Sequence, residues 1–437
     1  MDYVPNILFA AILVLGVGYF VRNIKKLIRN IKLGQKIDVS DNKSERWKNM
    51  ARIALGQSKM VRRPVSGFLH VIVYIGFIII NIEVLEIIID GLFGTHRIGL
   101  KVLPESVYGF LIGSFEILAV LVLVSVIVFW LRRNVIKIKR FLSSEMKGWP
   151  KNDGNIILYF EVVLMCLFLV MNATDTSFQT ANEGNIISQF IAPWFESMSA
   201  ETLHTVERTA WWLHIVGILI FLNYLYFSKH LHILLAFPNT YFGSLDPKGK
   251  VNNLEAVTAE VKLMMDPNAD PFAAAPEGTE DEEPAKFGAS DVMDLNQIQL
   301  LNAYTCTECG RCTSACPANL TGKKLSPRKI MMDTRDRLEE VGKNIDANNG
   351  EFKDDGKQLL GDYITNEELW ACTTCNACVE ECPVSINPLS IILEMRRYLV
   401  MEQSAAPMEL NNMMTNIENN GAPWPYNQMD RLNWKDE

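Results

Sequence analysis

Cys306-Thr307-Glu308-Cys309-Gly310-Arg311-Cys312-Thr313-Ser314-Ala315-Cys316-Pro317 and Cys372-Thr373-Thr374-Cys375-Asn376-Ala377-Cys378-Val379-Glu380-Glu381-Cys382-Pro383 are two copies of one pattern, C-x-x-C-x-x-C-x-x-x-C-P. They take up eight of the chain's nine cysteines. Three closely spaced thiolates cap one face of a cubane iron–sulfur cluster, and the fourth ligand must arrive from elsewhere. In two-cluster ferredoxins the fourth cysteine of each run serves the other cluster. The spacing therefore predicts two [4Fe-4S] clusters with crossed ligation: Cys306, Cys309, Cys312 and Cys382 for one, Cys372, Cys375, Cys378 and Cys316 for the other. The proline after the last cysteine sets the backbone angle and removes an N–H donor. Zinc sites of four thiolates are the competing reading, but they ordinarily use paired C-x-x-C knuckles rather than triads with a distant partner. A disulfide scaffold fits worse, because the topology argued next puts these cysteines in the cytosol, where thiols stay reduced.

The 437 residues leave room for two or three domains, and a hydrophobic fraction of 49% hides a split between an apolar first half and a polar second half. Five apolar segments, at 4–21, 66–90, 106–131, 154–175 and 207–229, approach or exceed the roughly 20 residues needed to cross a bilayer. The first is not a cleaved signal peptide: no Lys or Arg precedes it and no small-residue cleavage site follows. Its basic residues come afterwards, in Arg22, Lys25, Lys26, Arg29 and Lys32, which puts the N-terminus outside and the next segment inside. Arg132, Arg133, Lys137, Lys139 and Arg140 after the third segment agree, as does the scarcity of Lys and Arg in 176–206. Trp194, Trp211 and Trp212 suit an outer interfacial belt. The expected location is a bacterial cytoplasmic membrane, with the cysteine motifs in the cytoplasm. The basic segment 22–63 reads first as a helix lying on anionic headgroups, with a docking surface for a partner as the alternative. The net charge of −8 argues against nucleic acid as a partner.

Ionisable residues inside a span are costly and are functional candidates. His70 and His232 fall at the inner ends of the second and fifth segments, the same depth in antiparallel helices. Two facing imidazoles are what a low-spin haem b needs as axial ligands. His214 lies five helical turns before His232, about 27 Å along one axis. A second haem there lacks its partner, because the residue ten beyond His70 is Ile80. One haem is expected and a second stays open. Glu83, Glu116 and His214 toward the outer side, and Glu161 toward the inner side, are candidates for binding a quinone or moving its protons; a structural polar cluster is the alternative. Cys166 reads as a small buried hydrophobe, and His96 and His204 carry no assigned role.

Residues 241–290 form a linker, with Asp266-Pro267, Asp270-Pro271, an Ala-Pro stretch and the acidic run Glu280-Asp281-Glu282-Glu283. Beyond it, helical patterns run over 292–304, 326–341 and 387–401. The expected fold is all-α, a five-helix transmembrane cytochrome b bundle over 1–240 followed by a helical two-cluster ferredoxin domain over 291–402 and a tail over 403–437. No G-x-S-x-G, H-E-x-x-H, G-x-G-x-x-G or P-loop is present, so flavin, nicotinamide or ATP chemistry would belong to a partner.

The stretches Leu69-His70-Val71-Ile72 and His214 through Phe227-Ser228-Lys229-His230-Leu231-His232 resemble the gamma, or cytochrome b, subunit of respiratory nitrate reductases. That resemblance implies five spans with haem ligands on the second and fifth, and it places the family's fourth ligand at Ile80. Ala303-Tyr304-Thr305-Cys306 through Cys312, Leu325-Ser326-Pro327-Arg328-Lys329 and Leu369-Trp370-Ala371-Cys372 through Cys375 resemble heterodisulfide reductase-related iron–sulfur proteins. Among these the chain is most similar to membrane-bound oxidoreductases that link electron-transfer flavoprotein to menaquinone. The resemblance implies a quinone-linked electron-transfer subunit with menaquinone as substrate. Larger members continue into a Cys-Cys-Gly domain, and this chain has no adjacent cysteines. It implies a partner that supplies that domain, either an iron–sulfur subunit or a flavoprotein, with the tail as its docking segment. A redox-sensing or anchoring protein without quinone turnover, and an ion-pumping complex, are the rival classes.

Overall fold

The computed structural model describes residues 3–181, 184–247, 249–267 and 286–436. Among them secondary structure is helical throughout, apart from two isolated bridge pairs. Five helices are long and apolar enough to cross a membrane: Val4–Ile31, Pro64–Phe93, Glu105–Asn134, Trp149–Thr174 and Ala200–Phe227. They pack in chain order, each on the next, and the first closes the ring against the fifth. A bundle so arranged satisfies every backbone group inside its own helices, as hydrocarbon requires. Close approach depends on small residues. A Cβ added to Gly76 would stand 2.4 Å from Val122, and one added to Gly91 would stand 2.6 Å from the Phe9 ring.

The fifth span does not continue to His232. It ends in a 3-10 turn, Leu225–Phe227, and the chain is extended at Ser228 (φ −119°, ψ 149°) before a new helix, His232–Tyr241. The five-turn spacing between His214 and His232 therefore does not describe one straight helix. Asp153 holds the break: its carboxylate accepts from Ser228 Oγ (2.7 Å), Tyr224 Oη (2.6 Å) and the Lys229 amide (3.1 Å).

The iron–sulfur domain is a compact set of helices. Gln297–Thr305 starts on a capping box of Asn296 and Gln299, so two orphan N–H groups are satisfied reciprocally. Pro327–Ala347 and Pro388–Arg397 each begin with proline at the first position, where its missing N–H costs nothing. The first of these runs about two turns beyond the span predicted from the sequence. Arg337, fully buried, ties the domain's edges together through Asp291 (2.8 Å), Asp355 (2.6 Å) and the Lys357 carbonyl (2.8 Å).

The expected linker contains a helix of its own, Glu255–Met265. Asp270-Pro271, the Ala-Pro stretch and the acidic run 280–283 lie outside the described residues. The basic segment 22–63 is a seam against the chain's own iron–sulfur domain, contrary to the headgroup reading. Lys26 and Arg29 pair with Asp346, Asn30 Nδ2 donates to Tyr304 Oη (3.0 Å), and Gln35 exchanges backbone bonds with Leu295 and Gln297. Farther along, Arg62 pairs with Glu380 and Arg63 with Glu381 (2.8 Å). Complementary acidic groups on a domain some 300 residues downstream compete for these cations, and that distance hides them from sequence inspection.

Candidate redox centre

The two cysteine loops repeat one backbone. Glu308 (φ +54°) and Gly310 (φ +71°) in the first match Thr374 (φ +56°) and Asn376 (φ +59°) in the second. These are left-handed positions, which Gly takes freely and Asn tolerates. Each loop leads into a short helix, Arg311–Ala315 or Ala377–Glu381, and the two helices pack on each other. That packing carries each terminal cysteine to the other loop. Cys306, Cys309, Cys312 and Cys382 line one cavity; Cys316, Cys372, Cys375 and Cys378 line a second, and Cys378 also touches the first. All eight thiols are free of disulfides. Burial, followed by neighbouring sulfurs, pushes Cys378 up to about 12. Burial likewise raises Cys306 to about 12 and Cys382 to about 11. Thiolates so crowded and desolvated need a bound cation to persist, which fits iron–sulfur clusters. N–H groups of Thr374 and Ile386 point at Cys372 Sγ (3.4 Å) and Cys382 Sγ (3.3 Å), a contact type that tunes cluster potentials.

The first loop is pinned to the membrane bundle. Glu308, 3% exposed, pairs with Lys229 just past the fifth span and with Arg335 (2.9 Å) of Pro327–Ala347. Burial opposes ionisation of Glu308, but Lys229 and Arg335 outweigh it and hold its carboxyl below the ordinary range. Lys229 Nζ also donates to the Pro150 carbonyl (2.6 Å). Arg311, between Cys309 and Cys312, reaches the Met60 carbonyl (3.3 Å) and Met60 Sδ (2.9 Å) just before the second span. Arg328 joins the loop wall to Glu145 (2.7 Å) and the Arg140 carbonyl (2.7 Å) in the connection between the third and fourth spans. These arginines were not singled out as site residues from sequence; only the recurrence of basic residues beside the cysteine runs hinted at them.

At the same end of the bundle the imidazoles of His70 and His232 face each other, ring centroids 6.4 Å apart. Two imidazoles gripping one metal ion through nitrogens at about 2 Å set their ring centres roughly 6 Å apart. His232 Nδ1 lies 3.1 Å from the Lys229 carbonyl, an arrangement that makes Nδ1 the N–H and leaves Nε2 as the free lone pair. His70 Nδ1 is buried without a partner. This pair fits a haem iron. His230, unassigned from sequence, stands 5.4 Å from His232, ring to ring. His214 is elsewhere, buried against Phe168 (6.2 Å). Ile80, where a fourth haem ligand would be expected, is buried in the bundle.

The remaining intramembrane candidates separate. Glu116 is fully buried and committed: it accepts from Asn172 Nδ2 (3.1 Å) and from the Ile187 (2.6 Å) and Ser188 (3.0 Å) amides, anchoring the loop at the far end. Glu83 Oε2 is buried with no partner. Glu161 is half-buried and makes no hydrogen bond among the described residues. Cys166 faces outward, not into the bundle as expected. The far end also holds a network missed from sequence, in which Arg97 donates to Asp175 (2.7 Å) and Asn172 (2.9 Å). His96, Asp175 and Glu207 offer ligating atoms within 4.8 Å of one another, but Arg97 and Arg208 already pair with the two carboxylates.

Residues 305–386 match the 4Fe-4S dicluster domain family. The probable iron-sulfur-binding oxidoreductase FadF of Bacillus subtilis is 30% identical over 461 residues, which cover 99% of this chain and 61% of that protein. The EtfAB:quinone oxidoreductase of Syntrophomonas wolfei is 27% identical, across 94% of this chain and 55% of its own length. The chain thus spans a little over half of each of these relatives. One subunit of the ferredoxin/F(420)H(2)-dependent CoB-CoM heterodisulfide reductase of Methanosarcina acetivorans is 34% identical over 120 residues, 27% of this chain and 60% of that polypeptide. No solved structure matches. The chain therefore joins a multi-pass helical membrane domain to a two-cluster iron–sulfur domain, and in that combination it resembles the EtfAB:quinone oxidoreductase and heterodisulfide reductase iron–sulfur proteins.

Proposed function

We propose that this chain is the membrane electron-transfer subunit of a quinone-linked oxidoreductase. Its cluster ligands are Cys306, Cys309, Cys312 and Cys382 on one side and Cys372, Cys375, Cys378 and Cys316 on the other. His70 and His232 hold one haem b. The clusters and haem supply one-electron carriers when bound. The protein's part is to fix these carriers in a row and keep water away from them. Each turnover takes two electrons, one at a time, from a reduced partner, and delivers them with two protons to one quinone, giving quinol. The S. wolfei relative is named an EtfAB:quinone oxidoreductase, which supports an electron-transfer flavoprotein as the source of electrons and a quinone as their acceptor; menaquinone is our choice among quinones. The orientation follows from the basic loops: N-terminus outside, iron–sulfur domain in the cytoplasm of a bacterial cell.

The single observation behind the haem is the 6.4 Å His70–His232 pair at the bundle end that Arg311 of the first cysteine loop approaches. Glu83 and Glu161, unpartnered within spans, are the proton-carrying candidates; Glu116 serves the fold. The tail, with Trp424, Tyr426, Met429 and Trp434 each more than 60% exposed, is the docking segment for the flavoprotein or Cys-Cys-Gly partner. A reduced-minus-oxidised optical spectrum of the purified chain tests the reading. A b-type α band, re-oxidised by a menaquinone analogue, is the expected result. A preparation with iron and sulfide but no Soret absorbance would remove the haem and leave a membrane-anchored ferredoxin.

A further inference from the structure

Around the first cysteine cavity the chain gathers more cations than its carboxylates, Glu145 and Glu308, pair with. Arg328 is fully buried and lines this cavity; Glu145 accepts from its Nη2 (2.7 Å), and its Nε has no partner among the described residues. A Cβ placed on Gly310 would stand 2.5 Å from Arg328 Nη1 and 3.5 Å from Arg140 Cβ, so both side chains abut the Cys309–Cys312 loop. Arg140 Nε is likewise buried and without a partner among the described residues. Arg311, 4% exposed within the loop, donates to groups of Lys59 and Met60. Among the described residues no carboxylate is hydrogen-bonded to Arg140 or Arg311, although the Glu381 carboxylate, paired with Arg63, lies near enough to act on Arg311.

The second cavity is different. Among the described residues no charged side chain lines it. The cation beside it, Arg396, donates to the Leu369 (2.6 Å) and Cys372 (2.5 Å) carbonyls and lies over the Trp370 ring. Thr373, Thr374 and Cys375 of its loop are exposed, whereas the first loop is covered by the membrane-side connections.

A cubane on four thiolates is anionic and gains one further negative charge on reduction, so net charge around it moves its potential. Cations held out of water stabilise the reduced form more than the oxidised form. Water at the second loop and Arg396 also favour reduction there, but two guanidiniums without a hydrogen-bonded carboxylate, Arg140 and Arg311, act on the first site through largely desolvated protein. We propose that Arg140 and Arg311 set the cluster beside His70 at a higher potential than the exposed cluster, so that electrons come in at Thr373–Cys375 and leave toward His70. The transfer is one electron: the exposed cluster is oxidised, the buried one is reduced, and no bond or proton changes hands. This inference rests on the electron-carrier reading and adds to it the order of the two clusters and the residues that set that order.

The experiment is a redox titration of the purified full-length chain followed by electron paramagnetic resonance. Two [4Fe-4S] signals with separate midpoints are expected, the signal perturbed by Cys375→Ser being the lower. Arg140→Gln, which removes a side chain that holds no carboxylate, should lower the upper midpoint and leave the other in place; Arg140→Lys should restore it. Unchanged midpoints in Arg140→Gln, or a shift of the lower signal alone, would overturn the proposal while leaving the carrier function intact. Absence of both signals would overturn the carrier reading and this proposal with it.

Discussion

Lys229→Met tests how the iron–sulfur domain is held to the bundle. Lys229, with its side chain 9% exposed, and Glu308, 3% exposed, form a buried pair bridging the end of the fifth span and the first cysteine loop. Removing one member of a buried pair costs about 3–5 kcal/mol, because the other charge is left desolvated. Glu308 keeps Arg335 at 2.9 Å, and Asp153 keeps Ser228 and Tyr224, so the lower end applies. At about 1.4 kcal/mol per decade, about 3 kcal/mol weakens domain docking roughly a hundredfold. Hydrogen exchange of the detergent-solubilised protein reads this directly: amides of 300–312 and of Gln35 should exchange faster, while helices of the bundle core stay protected. Lys229→Met with Glu308→Gln should lose less than the sum of the two single changes, since no bare carboxylate remains. The pH dependence has a defined sign. The Glu308 carboxyl is depressed in the folded protein, so its contribution is complete above the unfolded value of about 4.3 and is lost as pH falls through the lower folded value. Wild-type exchange rates in Lys229→Met, or additive losses in the double variant, would refute the reasoning.

Three further outcomes follow from the site. Cys316→Ser should perturb the cluster of the second motif, and Cys382→Ser that of the first, as judged by resonance signals and iron content; the reverse pattern would mean uncrossed ligation. His70→Ala and His232→Ala should each abolish the Soret band, whereas His214→Ala, remote from the pair, should retain it. Glu116→Gln exchanges a carboxylate oxygen that accepts two loop amides for a neutral amide, a loss of about 1–3 kcal/mol; it should lower the melting temperature and leave haem content unchanged.

Local rules carried much of this protein. The cysteine spacing announced two clusters, and the family match over 305–386 agrees with it. Long apolar runs announced five candidate spans, because a bilayer imposes a length that composition alone can meet. The helical patterns over 326–341 and 387–401 begin within a residue of the observed Pro327–Ala347 and Pro388–Arg397. The basic run 22–63 was misread, since charges on a helix look alike whether they meet lipid phosphates or Asp346, Glu380 and Glu381. The break at Ser228 was invisible for a similar reason. Phe227 to His232 carries no helix-breaking residue, and it is the distant Asp153 that makes the extended turn favourable.

From its sequence alone the chain was bound to be helical, to offer five segments to a membrane and to hold eight thiolates in two runs, since each of these depends on residues near one another along the backbone. Tertiary structure alone decided that the chain breaks at Ser228, that the basic run 22–63 meets the chain's own carboxylates, and that Arg140 and Arg328 abut the Cys309–Cys312 loop. Those outcomes depend on distance through space between residues as far apart as Arg140 and Gly310, and Coulomb forces act over that distance, whatever the separation in sequence.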